Sequence, residues 1–155
     1  TKKFRGSLYS KILDADSAYD SIWVYKDAKE EASPNRFSVT IDEKKEGQMF
    51  DASRLEEKDK YKYFFGDNYG QVHIQNTLPS EDAQGSLLVI KDSFANTFVP
   101  LVAEEFAHVY MLDLRYYRGD VQEYIKEHEI SEVLILYNIS NFISDKNIFR
   151  LNERG

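Results

Sequence analysis

"SLLVIKDSFANTF", residues 86–98, decides the fold. Four consecutive apolar residues, Leu87 to Ile90, end at Lys91 and give way to Asp92-Ser93. After that break, Phe94, Phe98, Leu101, Val102 and Phe106 recur at helical spacing. A short, continuous apolar run suits a strand covered on both faces, and a 3.6-residue stripe suits a helix packed on one side. The segment therefore reads as strand, turn, helix. Pro100 lies inside the stripe, so the helix kinks there or begins nearer Thr97.

Two more runs of the same kind follow, "HVYMLDL" (108–114) and "EVLILY" (132–137). Between them "DVQEYIKEHE" (120–129) places Val121, Tyr124, Ile125 and His128 on one stripe, with Asp120 and Glu123 spaced as a capping box. Strand, helix, strand, helix, strand predicts right-handed crossovers and an α/β sandwich around a mostly parallel sheet. The first half differs. "DSIWVYK" (20–26) and "RFSVTID" (36–42) alternate polar and apolar residues across a turn-like "ASPNR" (32–36), which predicts a small antiparallel N-terminal element or an edge extension of the sheet. "SRLEEKDKYKYFF" (53–65) reads as a helix capped by Ser53 with Glu56, and "QVHIQN" (71–76) as a strand. Without repeats or Pro/Gly linkers, residues 1–155 are expected to form one domain. Three apolar strands make a narrow sheet, so that domain is expected to lack an N-terminal part that would precede Thr1.

Composition removes several function classes. With 20 Lys and Arg against 27 Asp and Glu, the net charge is −7, and no basic stripe offers itself to a nucleic-acid backbone. "DEKKEGQ" (42–48) and "RLEEKDKYK" (54–62) mix both signs and read as solvated faces. The absence of cysteine excludes thiol catalysis, disulfides and Cys-based zinc sites. No apolar run approaches the roughly 18 residues of a membrane span. No Gly-rich phosphate loop, His-x-x-x-His pair or EF-hand spacing occurs, so neither a cofactor nor a dedicated metal is expected.

Ser93 is the candidate for chemistry. It falls where a buried strand ends and a helix begins, with backbone N–H groups facing outward. A serine nucleophile uses such donors for the oxyanion of its tetrahedral intermediate. An ordinary helix cap uses the same donors, and spacing alone favours the cap. A nucleophile also needs a base. His73 alternates with Val72 and Ile74, His108 stands at a helix-to-strand junction, and His128 sits near a helix C-terminus, so each reads as structural. None occurs in an Asp-x-x-His arrangement. "FFGDNYG" (64–70) reads as a tight turn that also offers Asn68 as an oxyanion donor. "LDLRYYRGD" (112–120) puts Arg115, Tyr116 and Tyr117 at the sheet's carboxyl edge, where Arg115 suits an anionic or sugar-like substrate and the tyrosines suit sugar stacking or packing between layers.

"LLVIKDSFANTFVPLVAEEF" (87–106) followed by "VYMLDLRYY" (109–117) closely resembles the DHHW proteins, found mostly in Gram-positive bacteria. "RGSLYSKI" (5–12), "DSIWVYK" (20–26), "DKYKYFFGDNYG" (59–70) and "VHIQNT" (72–77) look like further segments of that family. DHHW proteins are similar to SGNH-type hydrolases and to alginate O-acetyltransferases. The resemblance implies an SGNH-like α/β fold, with Ser93 as nucleophile and Lys91 standing where the related motif has glycine. The Asp-His-His-Trp motif that would supply base and carboxylate is absent from these 155 residues and is expected upstream of Thr1. The expected function is the carboxy-terminal part of a serine esterase or O-acyltransferase acting on a cell-envelope glycan. This part would be inactive alone and extracytoplasmic, with a carbohydrate or acyl ester as partner. The alternative is a non-catalytic glycan-binding or structural module on the same fold.

Overall fold

The computed structural model describes residues 4–6, 9, 12, 16–24 and 36–152. Six strands form one sheet: β1 (Phe37–Ile41), β2 (Lys45–Gly47), β3 (Gln71–Asn76), β4 (Ser86–Lys91), β5 (His108–Leu112) and β6 (Glu132–Leu136). Their order across the sheet is β2-β1-β3-β5-β4-β6. The three apolar runs form the strands expected of them, and β4 pairs in parallel with β5 and with β6.

The mostly parallel, three-layer SGNH-like sandwich is nevertheless incorrect. β1 pairs antiparallel with β2 and with β3, and β3 pairs antiparallel with β5. Three of the five pairings are thus antiparallel, in a mixed sheet accompanied, over residues 36–152, by three short α-helices. Of the two expectations for the first half, the edge extension describes 36–42, which does not stand apart as a small element. β1 and β3 extend the main sheet, because Val39, Ile41, Val72 and Ile74 bury their apolar side in the same core as Leu87, Val89, Val109 and Met111. The expected pairing of 20–26 with 36–42 is replaced as well. β1 turns at Asp42 and Glu43, both with positive φ, into β2. Residues 21–24 form no strand, and residues 25–35 lie outside the described residues.

Helix α1 (Ala95–Val102) contributes Ala95 and Val99 to the core on one sheet face. On the other face, α2 (Val121–Glu127) sets Val121 and Tyr124 against Leu88, Ile90, Tyr110 and Leu112. Asp120 caps α2, its carboxylate accepting from the Gln122 and Glu123 N–H groups at 2.6 and 2.9 Å. α3 (Ile139–Ser144) follows β6, capped by Asn138, whose side chain accepts from Ser140 N–H. Pro100 does not postpone α1, which begins at Ala95; it sits in the last turn, where its missing N–H forfeits the bond to the Asn96 carbonyl.

The helix expected over 53–65 is two 3₁₀ segments, Ala52–Glu56 and Lys60–Tyr63. Asp51 and Asp59 accept from the N–H two residues ahead, Ser53 and Tyr61. Such local side-chain bonds compete with the α-helical ladder, and no buried residue in the first segment gives a helix a face to pack. The chain then enters "FFGDNYG" through Phe65 and Gly66, with φ of 61° and 84°. A bulky residue in the left-handed region is held there only by its surroundings. Phe65 is buried in the core, and its N–H donates to the Met49 carbonyl at 3.0 Å.

Candidate active site

Ser93 lies in the turn between β4 and α1, at the carboxyl end of a central parallel strand, and is half-buried. It does not cap the helix. The N-cap position of α1 is Phe94, which has no side-chain cap, and Asp92 holds the turn leading into it: its Oδ1 accepts from Phe94 N–H at 2.9 Å, and its carbonyl accepts from Ala95 N–H at 3.3 Å. The other carboxylate oxygen of Asp92 accepts from Asn138 N–H at 2.9 Å and from Asn141 Nδ2 at 2.6 Å. One fully buried carboxylate therefore ties the β4–α1 turn to the β6–α3 turn. Neither the Ser93 hydroxyl nor its backbone N–H has a hydrogen-bond partner among the described residues. The capping alternative, favoured by spacing, does not describe Ser93, whose side chain accepts from no helix N–H.

Ser93 opens into a cavity of about 550 Å³. Asn68 and Asn96 line the same cavity, along with Phe64, Phe94, Tyr61 and Lys58. The structure thus brings Ser93 and Asn68 together from segments 25 positions apart in sequence. Asn96, one turn beyond Ser93, donates from Nδ2 to Asn68 Oδ1 at 3.1 Å and accepts at its own Oδ1 from Lys91 Nζ at 2.8 Å. Lys91 is 1% exposed and stands 3.9 Å from Asp113 Oδ2. Burial pushes its ammonium down to about 8, against the opposing attraction of Asp113. Neither Lys91 nor Asn96 is singled out by the sequence as a site residue, because a lysine at a strand's end and an asparagine in a helix's first turn are ordinary surface choices.

Arg115 is placed elsewhere. Its guanidinium grips Asp113 through Nε at 2.9 Å and a terminal nitrogen at 2.6 Å, a two-pronged contact that holds the guanidinium well above its ordinary range. It borders a separate cavity of about 320 Å³ with Asp92, Tyr137 and Asn141, and it does not line the one at Ser93. Tyr116 is half-exposed beside it, whereas Tyr117 packs edge-on against Tyr124.

None of the three histidines lines either cavity. They gather on the α2 side of the sheet: His73 Nε2 lies 3.0 Å from His108 Nδ1, His73 stacks on Tyr110 at 4.4 Å, and His128 packs on Tyr124 at 4.1 Å. Strand register sets His73 beside Tyr110 and Tyr110 beside Leu88, five residues before Ser93. At about 3.3 Å per residue, that is roughly 16 Å along the strand, far beyond the reach of proton transfer. Among the described residues no three His, Asp or Glu side chains converge as metal ligands.

A family model described as "DHHW protein" matches residues 2–112. Comparison with curated protein sequences finds no match. Among solved structures, PatB1 from Bacillus cereus is 31% identical, covering 70% of this chain and 37% of that one with a TM-score of 0.56. PatB1 with a sulfonyl adduct is 38% identical over 57% of this chain and 30% of that one, with a TM-score of 0.49. A DHHW family protein from Eubacterium siraeum is 22% identical, covering 76% of this chain and 40% of that one with a TM-score of 0.59. The chain therefore spans 30–40% of the length of these structures.

Proposed function

This chain belongs to the DHHW family, and from that premise we propose that it carries the serine of an acyl-transfer site, with Ser93 as nucleophile. The observation that carries the reading is the condition of Ser93: its hydroxyl and N–H are uncommitted, the turn into α1 is held by Asp92, and it faces a cavity shared with Asn68. The Ser93 oxygen attacks the acyl carbon while its proton passes to a base. The tetrahedral oxyanion takes hydrogen bonds from Ser93 N–H and Asn68 Nδ2. Collapse expels the donor's alcohol and leaves an acyl ester on Ser93, which a sugar hydroxyl or water then cleaves. The base is an imidazole held by a carboxylate in a part of the same protein other than these residues, since none of the described histidines reaches Ser93.

The acyl group is acetyl and the acceptor a cell-envelope glycan, at an extracytoplasmic location. Resemblance supports these assignments, and so does the aromatic rim of Tyr61, Phe64 and Phe94, which suits stacking on sugar rings. The same rim favours, as a second reading, a module that holds a glycan without reacting.

The test is acetyl-ester turnover by the full-length protein, together with labelling by a fluorophosphonate. Ser93→Ala should abolish both while shifting the unfolding free energy by less than about 0.5 kcal/mol, since no hydrogen bond is lost. Retained turnover with Ser93→Ala would overturn the catalytic reading. Retained glycan binding without any turnover in the native protein would establish the second.

A further inference from the structure

The buried end of β4 contains a lysine that the proposed chemistry leaves unused. A fully buried ammonium is costly, and a Leu or Met would fill the position without that cost. What Lys91 does contribute is direction. An asparagine amide is symmetric in shape, and its two ends differ only in whether they donate or accept. Lys91 Nζ can only donate while it is charged, so at 2.8 Å it selects the oxygen end of Asn96. The Asn96 nitrogen must then face Asn68, where it donates to Oδ1 at 3.1 Å. With its oxygen taken, Asn68 has its Nδ2 left over, and no described residue accepts from it. Asn68 lines the cavity on which Ser93 opens.

We propose that Lys91 is a positioning residue that, through Asn96, fixes Asn68 with its amide N–H₂ turned to the reacting centre as an oxyanion donor. The inference rests on Ser93 as the nucleophile and adds the reason the donor points the right way. Reversed, Asn68 would present a carbonyl oxygen to a developing negative charge, which repels it. Lys91 itself touches no substrate. Asp113 stays paired with Arg115 when Lys91 is replaced, so the substitution leaves no buried carboxylate alone.

Two variants separate this role from a structural one. Lys91→Met removes the selecting donor. Asn96→Asp keeps the contact to Lys91 but offers Asn68 only acceptor oxygens, which forces its amide to reverse. In the full-length protein, Asn68→Ala should lower kcat for acetyl-ester turnover by about 100-fold. Asn96→Asp should lower it at least as far, and Lys91→Met by about 10-fold or more, all with KM nearly unchanged. Lys91→Met combined with Asn68→Ala should be no slower than Asn68→Ala alone. Losses that multiply, or a Lys91→Met variant with native kcat, would overturn the proposal.

Side-chain amide exchange, followed by ¹⁵N NMR on this chain, reads the orientation without turnover. In the native chain Asn96 N–H₂ should be protected and Asn68 N–H₂ should exchange freely, and in Asn96→Asp the Asn68 amide should become protected. Protection of the Asn68 amide in the native chain would overturn the relay whatever the kinetics. If the relay holds but native protein neither turns over nor labels at Ser93, the catalytic reading and the relay's use in it fall, and only its orientation stands.

Discussion

His73 shows how one side chain can set a pH limit without taking part in the site. It is half-buried between His108 and Tyr110, with His128 close by on the end of α2. Burial first, then the neighbouring imidazoles, push it down to about 4. The 3.0 Å contact to His108 needs one ring to accept, which a pair of imidazolium ions could not provide. The unfolded chain takes up a proton near pH 6.5 that the folded chain refuses until about pH 4. Stability is therefore complete above 6.5 and falls as the pH drops through that window. The expected loss, reduced by solvent screening at a half-exposed ring, is on the order of 1–2 kcal/mol. Urea midpoints measured from pH 7.5 to 4 should show it, and His73→Gln should flatten the acid limb. A native profile no steeper than that of His73→Gln would contradict the account.

At the scale of elements, Asp92 joins two strand-to-helix turns through three hydrogen bonds to one carboxylate. Asp92→Ala strands donors at Phe94, Asn138 and Asn141 and should cost on the order of 3 kcal/mol in chemical denaturation. Asp92→Asn, which keeps the acceptor for one turn only, should fall between the two. Elements of this kind were legible in the sequence where the signal is local. The three apolar runs mark β4, β5 and β6, and the Asp120 cap marks the start of α2. Pairing partners were not legible. "QVHIQN" announces a strand, but nothing in its alternation says that it will lie antiparallel between β1 and β5, because that choice is made by residues far away in the chain. Ser93 and Asn68 were readable from their turns. Lys91, Asn96 and Asp113 were not, since a strand-ending lysine becomes significant only once its burial is known.

Across the whole molecule, β6 closes one end of the sheet, and its outer edge takes no partner strand among the described residues. Val133 and Ile135 are 49% and 50% exposed on that strand, and Ile139 and Ile143 of α3 are 74% and 79% exposed nearby. An apolar strand with unpaired backbone groups invites association through that edge. In isolation this chain should self-associate with rising concentration in light scattering. Val133→Lys together with Ile135→Lys should suppress this while leaving the circular dichroism spectrum unchanged; association that persists undiminished would locate the contact elsewhere. The cavity at the carboxyl end of β4 has two walls of separate origin. Ser93 and Asn96 belong to the β4–α1 turn and to α1, while Lys58, Tyr61 and Phe64 come from the stretch 58–64 before β3, with Tyr61 in the second 3₁₀ segment. On the proposed reading the first wall reacts and the second recognises, so the two can drift at different evolutionary rates. On that same reading, substitutions at Tyr61 could alter the choice of acceptor while the Ser93 turn stays unchanged.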